Sequence, residues 1–237
     1  MTQSADSAAV ETTAREILAR VRALPRRDTI AVRAVRREYS RRLAHEPPAY
    51  ILALALRLLD ESDPLFRWFA YEIVHFHRAT LRALRAKHLA QLGRGLGRWE
   101  DVDTFAPYLA GPAWREGQVA DALIQRWARS RDRWWRRAAL VSTVALNNRA
   151  RGGRGDPART LLICRMVVAD RDDMVVKALS WALRALAVRD PHAVRAFLVE
   201  HEAGLAARVK REVNNKLATG LKNPRRAQRN APTSATA

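Results

Sequence analysis

The sequence holds one cysteine, Cys164, so no internal disulfide can form, and a cytosolic setting is expected. The run around it, LLICRMVV, is apolar, which makes Cys164 a small core hydrophobe rather than a nucleophile. No stretch stays apolar for the ~20 residues that a membrane-crossing helix needs. The opening residues, MTQSADSAAVETT, carry early acids and no apolar stretch, so no secretory signal is expected. The six histidines, His45, His75, His77, His88, His192 and His201, form no HExxH and no cluster with cysteine. His75 and His77 stand two apart, which points their rings away from each other on a helix. No metal and no cofactor are expected. Segments that alternate with period two are missing, which excludes a sheet protein. Acids are scarce: 24 Asp and Glu face 43 Lys and Arg, a formal charge of +19.

What is present is helical. Arg, Ala and Leu dominate, and the apolar spacing is that of helices, as in Leu123, Trp127, Trp134, Ala138, Val141 and Ala145. Asp63-Pro64, Asp156-Pro157 and Asp190-Pro191 read as helix starts, with the Asp capping orphan N–H groups and the Pro at the first helical position. A weak repeat starts at Asp63, Asp132 and Asp172, each Asp followed by bulky, basic and then small residues. The last two starts are 40 apart and the first two 69 apart, close to two units, a period that suggests paired-helix HEAT-like repeats. The expected fold is therefore all-α, a solenoid with a concave basic groove, in one domain over 11–222. Composition predicts disorder at 1–10 and in a basic tail at 223–237. Trp68, Trp114 and Trp127 are assigned to the core. Trp134 and Trp135 are adjacent and cannot both face it.

The positive charge is blocked. Residues 124–155 hold nine Arg against Asp132, residues 208–229 hold eight Lys or Arg against Glu212, and residues 22–42 hold eight Arg against two acids. An ordinary solvated surface mixes signs, so these blocks point to a polyanion, most simply nucleic acid. Within the first block, NRARGGRG at 148–155 is expected to be a flexible basic loop whose glycines let backbone approach a phosphate, with Arg151 and Arg154 as contacts. It lacks the GK[ST] of a P-loop. Against this basic background, RWEDVDTF at 98–105 sets Asp103 one helical turn after Trp99, on the same face.

RWEDVDTF, WWRRAALV at 134–141 and VVKALSWALRALAVRDP at 175–191 together resemble the HEAT-like-repeat DNA alkylation repair family, the AlkD-type alkylpurine DNA glycosylases. The resemblance runs from about Glu46 to Leu221, in order and at compatible spacing. It implies a monofunctional glycosylase that hydrolyses the N-glycosidic bond of N3- or N7-alkylated purines, 3-methyladenine and 7-methylguanine, in double-stranded DNA. On its pattern, Trp99 and Asp103 lie in the groove, Trp181 faces them, and Arg137 contacts the DNA backbone. Arg136 adjoins Arg137, and Lys210 and Arg211 sit in the familiar ending RVKREV. The partner implied is duplex DNA, bound by a monomer in the cytoplasm at the nucleoid.

The implied chemistry suits these residue types. Alkylation makes the base a good leaving group, and the sugar gains oxocarbenium character. A fixed carboxylate, Asp103, would stabilise that cation and hold the attacking water. The indole faces of Trp99 and Trp181 would attract the cationic nucleotide, at ~0.5–2 kcal/mol each. The opening departs from the pattern: DTIAVRAVRREYSRR has no glycine, and Tyr39 is the substitute for a groove-lining residue. Plainer readings stand beside these. Asp103 could pair with Arg98 or Arg137, and Trp99 or Trp181 could be core. The protein as a whole could be a non-catalytic binder of damaged or branched DNA, or a protein-interaction scaffold.

Overall fold

The computed structural model describes residues 2–224, and every regular element among them is a helix. The helices are α1 (Thr2–Arg22), α2 (Thr29–Arg42), α3 (Pro48–Leu59), α4 (Pro64–Phe76), α5 (Arg78–Ala83), α6 (Ala86–Leu92), α7 (Trp99–Phe105), α8 (Gly111–Arg115), α9 (Asp121–Ala128), α10 (Arg133–Ser142), α11 (Val144–Asn147), α12 (Pro157–Met166), α13 (Asp173–Ala187), α14 (Pro191–Glu200) and α15 (Ala207–Thr219). A π-helical turn, Ala106–Ala110, joins α7 to α8, and a 3-10 turn, Arg149–Arg151, follows α11. None of these helices is long and apolar enough to cross a membrane.

The Asp-Pro starts form as expected. Asp156 and Asp190 accept the N–H of Arg159 and Ala193, and Pro157 and Pro191 open α12 and α14. Asp63, Asp132 and Asp172, where the repeat was expected to start, cap α4, α10 and α13 in one common way. Each accepts the N–H two residues on, from Leu65, Trp134 and Met174, at 3.0, 2.8 and 2.9 Å. Such a cap contributes ~1 kcal/mol. The 69-residue interval between the first two starts contains α7, which begins at Trp99 behind Arg98 and has no side-chain cap.

Packing follows chain order. Helices α2, α4, α7, α10, α13 and α15 form a series in which each packs on the next, while α3, α9 and α12 pack behind α4, α10 and α13. The core between them is apolar, with Phe66, Phe69, Phe105, Trp114 and Phe197 fully buried. Trp127 is buried too, and Trp68 is half-buried against the core. The adjacent indoles divide. Trp135 packs on Trp127 and Phe105, over Gly93, where a Cβ would overlap its ring. Trp134 is half-buried beneath Arg133. Cys164 is buried, and burial pushes its thiol up, as suits a core residue.

Residues 2–10, expected to lack order, form the first turns of α1, whose stripe Val10, Ala14, Ile17 and Val21 is buried. Ala-rich sequence favours helix even where large apolar residues are few. Of the tail expected at 223–237, residues 225–237 lie outside the described residues.

Candidate functional site

Helix α7 sorts its acids by direction. Its first turn carries Glu100 and Asp101, which suit the positive end of the helix dipole. Asp101 is buried with Arg67 4.0 Å away, and burial pushes its carboxyl above the usual range against the pull of Arg67. Asp103 points the other way, toward α10. Trp99, one turn before it, is 50% exposed, far from the behaviour of a core indole.

Asp103 is held by Arg137. The Arg137 Nε donates to Asp103 Oδ1 at 2.9 Å and Nη2 donates to Oδ2 at 2.8 Å, a two-pronged contact. Its Nη1 donates to the carbonyl of Met174 on α13 at 2.6 Å. One guanidinium therefore ties α7, α10 and α13 together. Arg137 itself is only 5% exposed. The family resemblance implies that this arginine contacts the DNA backbone; in the structure its guanidinium meets Asp103. Of the alternative partners, Arg98 goes to Glu100.

The Asp103 side chain keeps 20% of its surface accessible. A carboxylate offers about four lone-pair directions, and the fork of Arg137 uses two. The outer pair remains for a water or a polar ligand. Burial pushes the Asp103 carboxyl above its ordinary range, Arg137 opposes this, and nearby Glu100 adds to it. The site thus holds an aligned, partly dry carboxylate beside a half-exposed indole.

Trp181 lies on α13, the helix whose Met174 carbonyl Arg137 reaches. It lies seven residues after Met174, two turns along the same face, and is half-buried against the core. No ring pair links Trp181 and Trp99 among the described residues.

The proposed DNA-contacting cations divide. Arg136 is committed internally, to Asp170 at 2.7 Å and to the carbonyls of Ser130 and Arg131. Arg154 and Arg211 are exposed, with no carboxylate partner among the described residues. Arg126, Arg129, Arg131 and Arg149 share that condition and were not singled out in the sequence. Lys210 is half-buried and reaches the Glu202 carbonyl, and Arg151 lies over the Tyr108 ring. The 148–155 loop, expected to be flexible, is clamped. Arg115 donates to the carbonyls of Ala145 and Arg151, and Arg189 to those of Asn147 and Gly153. A Cβ on Gly153 would come within 2.7 Å of the Ala145 carbonyl. Its glycine serves chain packing. Tyr39 lines no groove: it is 5% exposed and sits in the core on the stripe of Val32 and Val35.

Part of the arginine excess works between helices. Arg33 and Arg36 of α2 reach Glu72 of α4, Arg67 of α4 faces Asp101 of α7, and Arg133 of α10 reaches Asp172 at the start of α13. Arg184 of α13 faces Glu212 of α15. The Asp103–Arg137 pair is the member of this ladder that joins α7 to α10. Sequence spacing carries no signal for such pairs, because the partners lie 28 to 39 residues apart.

No group of three or more His, Cys, Asp or Glu side chains is placed to hold a metal among the described residues. The family model described as DNA alkylation repair enzyme matches residues 28–217 of the chain. A search of curated proteins finds no match.

Proposed function

The chain belongs to the DNA alkylation repair enzyme family, and on that premise we propose that it is a monofunctional DNA glycosylase for N3- and N7-alkylated purines in duplex DNA. The helix series α2, α4, α7, α10, α13 and α15 is then the groove-facing layer of a HEAT-like solenoid, and the exposed arginines give that groove its charge. The observation that carries the proposal is the pairing, on one face of α7, of a half-exposed indole with a carboxylate aligned by a buried fork.

In the reaction, the base leaves with the electron pair of its glycosidic bond and neutralises its own alkyl-derived charge. The sugar left behind is cationic. The outer lone pairs of Asp103 face that cation and accept a proton-bearing water on the path to the sugar carbon. Arg137 acts as a positioning residue. It fixes the carboxylate plane and favours the anion, at the cost of part of the negative field. Trp99 supplies a π face for the cationic nucleotide.

The same fork favours a second reading. Because both Asp103 oxygens already meet a cation, the chain could bind alkylated or branched DNA without releasing a base. Incubation with methylated duplex DNA separates the two. Free 7-methylguanine and 3-methyladenine support the glycosylase, while salt-sensitive binding without free base supports the binder.

A further inference from the structure

Phe76 ends α4 and is 49% exposed, a large apolar residue left partly uncovered. The ring is part of a tier. The Arg36 guanidinium lies 3.8 Å from its centroid. His75 meets it edge-on at 4.9 Å and stacks on Tyr108 at 4.6 Å, and Arg151 lies 4.5 Å from the Tyr108 centroid. The tier crosses α2, α4, the π-helical turn and the 3-10 turn. The His75 Nδ1 is fixed to the Tyr108 carbonyl at 2.9 Å. Burial pushes the His75 imidazole below its usual range, so a neutral ring stands between Phe76 and Tyr108 at neutral pH.

The surroundings are cationic. Among the described residues, Arg33 and Arg36 meet one carboxylate, the buried Glu72, so two cations share one anion. Arg33 keeps 40% of its side chain accessible, and Arg151 has no carboxylate partner among the described residues. An exposed ring set among arginines is the combination that binds unpaired nucleotides: bases stack on the ring, and phosphates meet the guanidinium groups.

We propose that the open face of Phe76 stacks one unpaired, neutral nucleobase of bound DNA, with Arg33 and Arg151 beside the flanking phosphates. The base is neutral because Arg36 already holds a cation against the other face, and a second cation across the same ring would be repelled. The alkylated, cationic base is therefore not the occupant; an undamaged nucleotide out of its pair is. The proposal rests on the reading that the chain binds DNA, and it needs nothing of Asp103.

The test uses the full chain and two duplexes of one sequence, one fully paired and one with 2-aminopurine as a single unpaired bulge. Wild-type protein should bind the bulged duplex about tenfold more tightly than the paired one and quench the 2-aminopurine fluorescence. Phe76→Leu, which keeps an apolar cover on Arg36, should lose both the preference and the quenching. Phe76→Tyr, which keeps a stacking face, should retain both. Thermal melts of the variants check folding. Unchanged preference and quenching in Phe76→Leu would overturn the proposal and leave the ring to a protein contact. Wild-type binding without preference for the bulge would also overturn it. Absence of affinity for either duplex would remove the DNA-binding reading itself, a result distinct from the other two.

Discussion

The two carboxylate oxygens of Asp103 on α7 meet two nitrogens of one arginine, Arg137 on α10, at 2.9 and 2.8 Å. The third arm of that guanidinium reaches α13 through the Met174 carbonyl. A single side chain thus aligns the candidate catalytic group and joins three successive helices. On the proposed mechanism, function and stability are coupled at this point.

That coupling has a measurable size. Arg137→Ala leaves a largely buried carboxylate unpaired and should cost about 2–4 kcal/mol of folding free energy. Asp103→Asn alone should cost less, because an amide still accepts from the guanidinium. The double variant should be more stable than the sum of the two changes predicts. Urea unfolding of the four proteins checks this; strict additivity would mean the pair contributes nothing.

Asp103 must be ionised to face a cationic sugar. Burial holds its carboxyl above the ordinary value of 3.8, so base release should fall with decreasing pH at a point above that value. Arg137 favours the anion. Removing it in Arg137→Gln should move this acid limb to higher pH, measured as single-turnover release on folded protein. A limb that moves to lower pH contradicts the assignment.

The indoles should separate by burial. Trp99 is half-exposed, so Trp99→Ala should cost under about 1 kcal/mol of stability while sharply reducing base release. Trp114 is fully buried and donates its indole N–H to Asp121 at 2.7 Å. Trp114→Ala should destabilise by about 3–5 kcal/mol. Thermal melts beside release assays check both; a Trp99→Ala protein with full activity would return Trp99 to a structural role.

Much of the fold was legible because its signals are local. The Asp-Pro caps, the burial of Cys164 and the apolar spacing of Trp127 depend on neighbours within a turn or two, and each appears where the sequence put it. The 69-residue interval between Asp63 and Asp132 contains α7, which has no side-chain cap and so left no acidic start to read. Tyr39 departs from its expected groove position for a local reason, since Val32, Val35 and Tyr39 form one buried helical stripe. The partner of Asp103 was legible only as one of two arginines, Arg98 or Arg137. Ion pairs between helices are set by packing, and any of many arginines satisfies the sequence equally. For the same reason Arg136, read as a DNA contact, proves to be bonded to Asp170.

The divided arginines give different salt behaviour. Arg154→Ala and Arg211→Ala remove exposed charge that has no carboxylate partner among the described residues. Each should lower the slope of log K against log salt by up to ~1 if it meets a phosphate. Arg136→Ala should leave the slope unchanged and lower stability instead. Duplex binding between low and moderate salt checks this, and an Arg136 slope change equal to the others would place that side chain on DNA.

The most direct measurement is release of free 7-methylguanine and 3-methyladenine from methylated duplex DNA, wild type beside Asp103→Asn, with duplex affinity recorded for both. Release by the wild type alone, at similar affinity for the two proteins, is the predicted result. Equal release by Asp103→Asn, or binding by the wild type with no base freed, would contradict a catalytic carboxylate on α7.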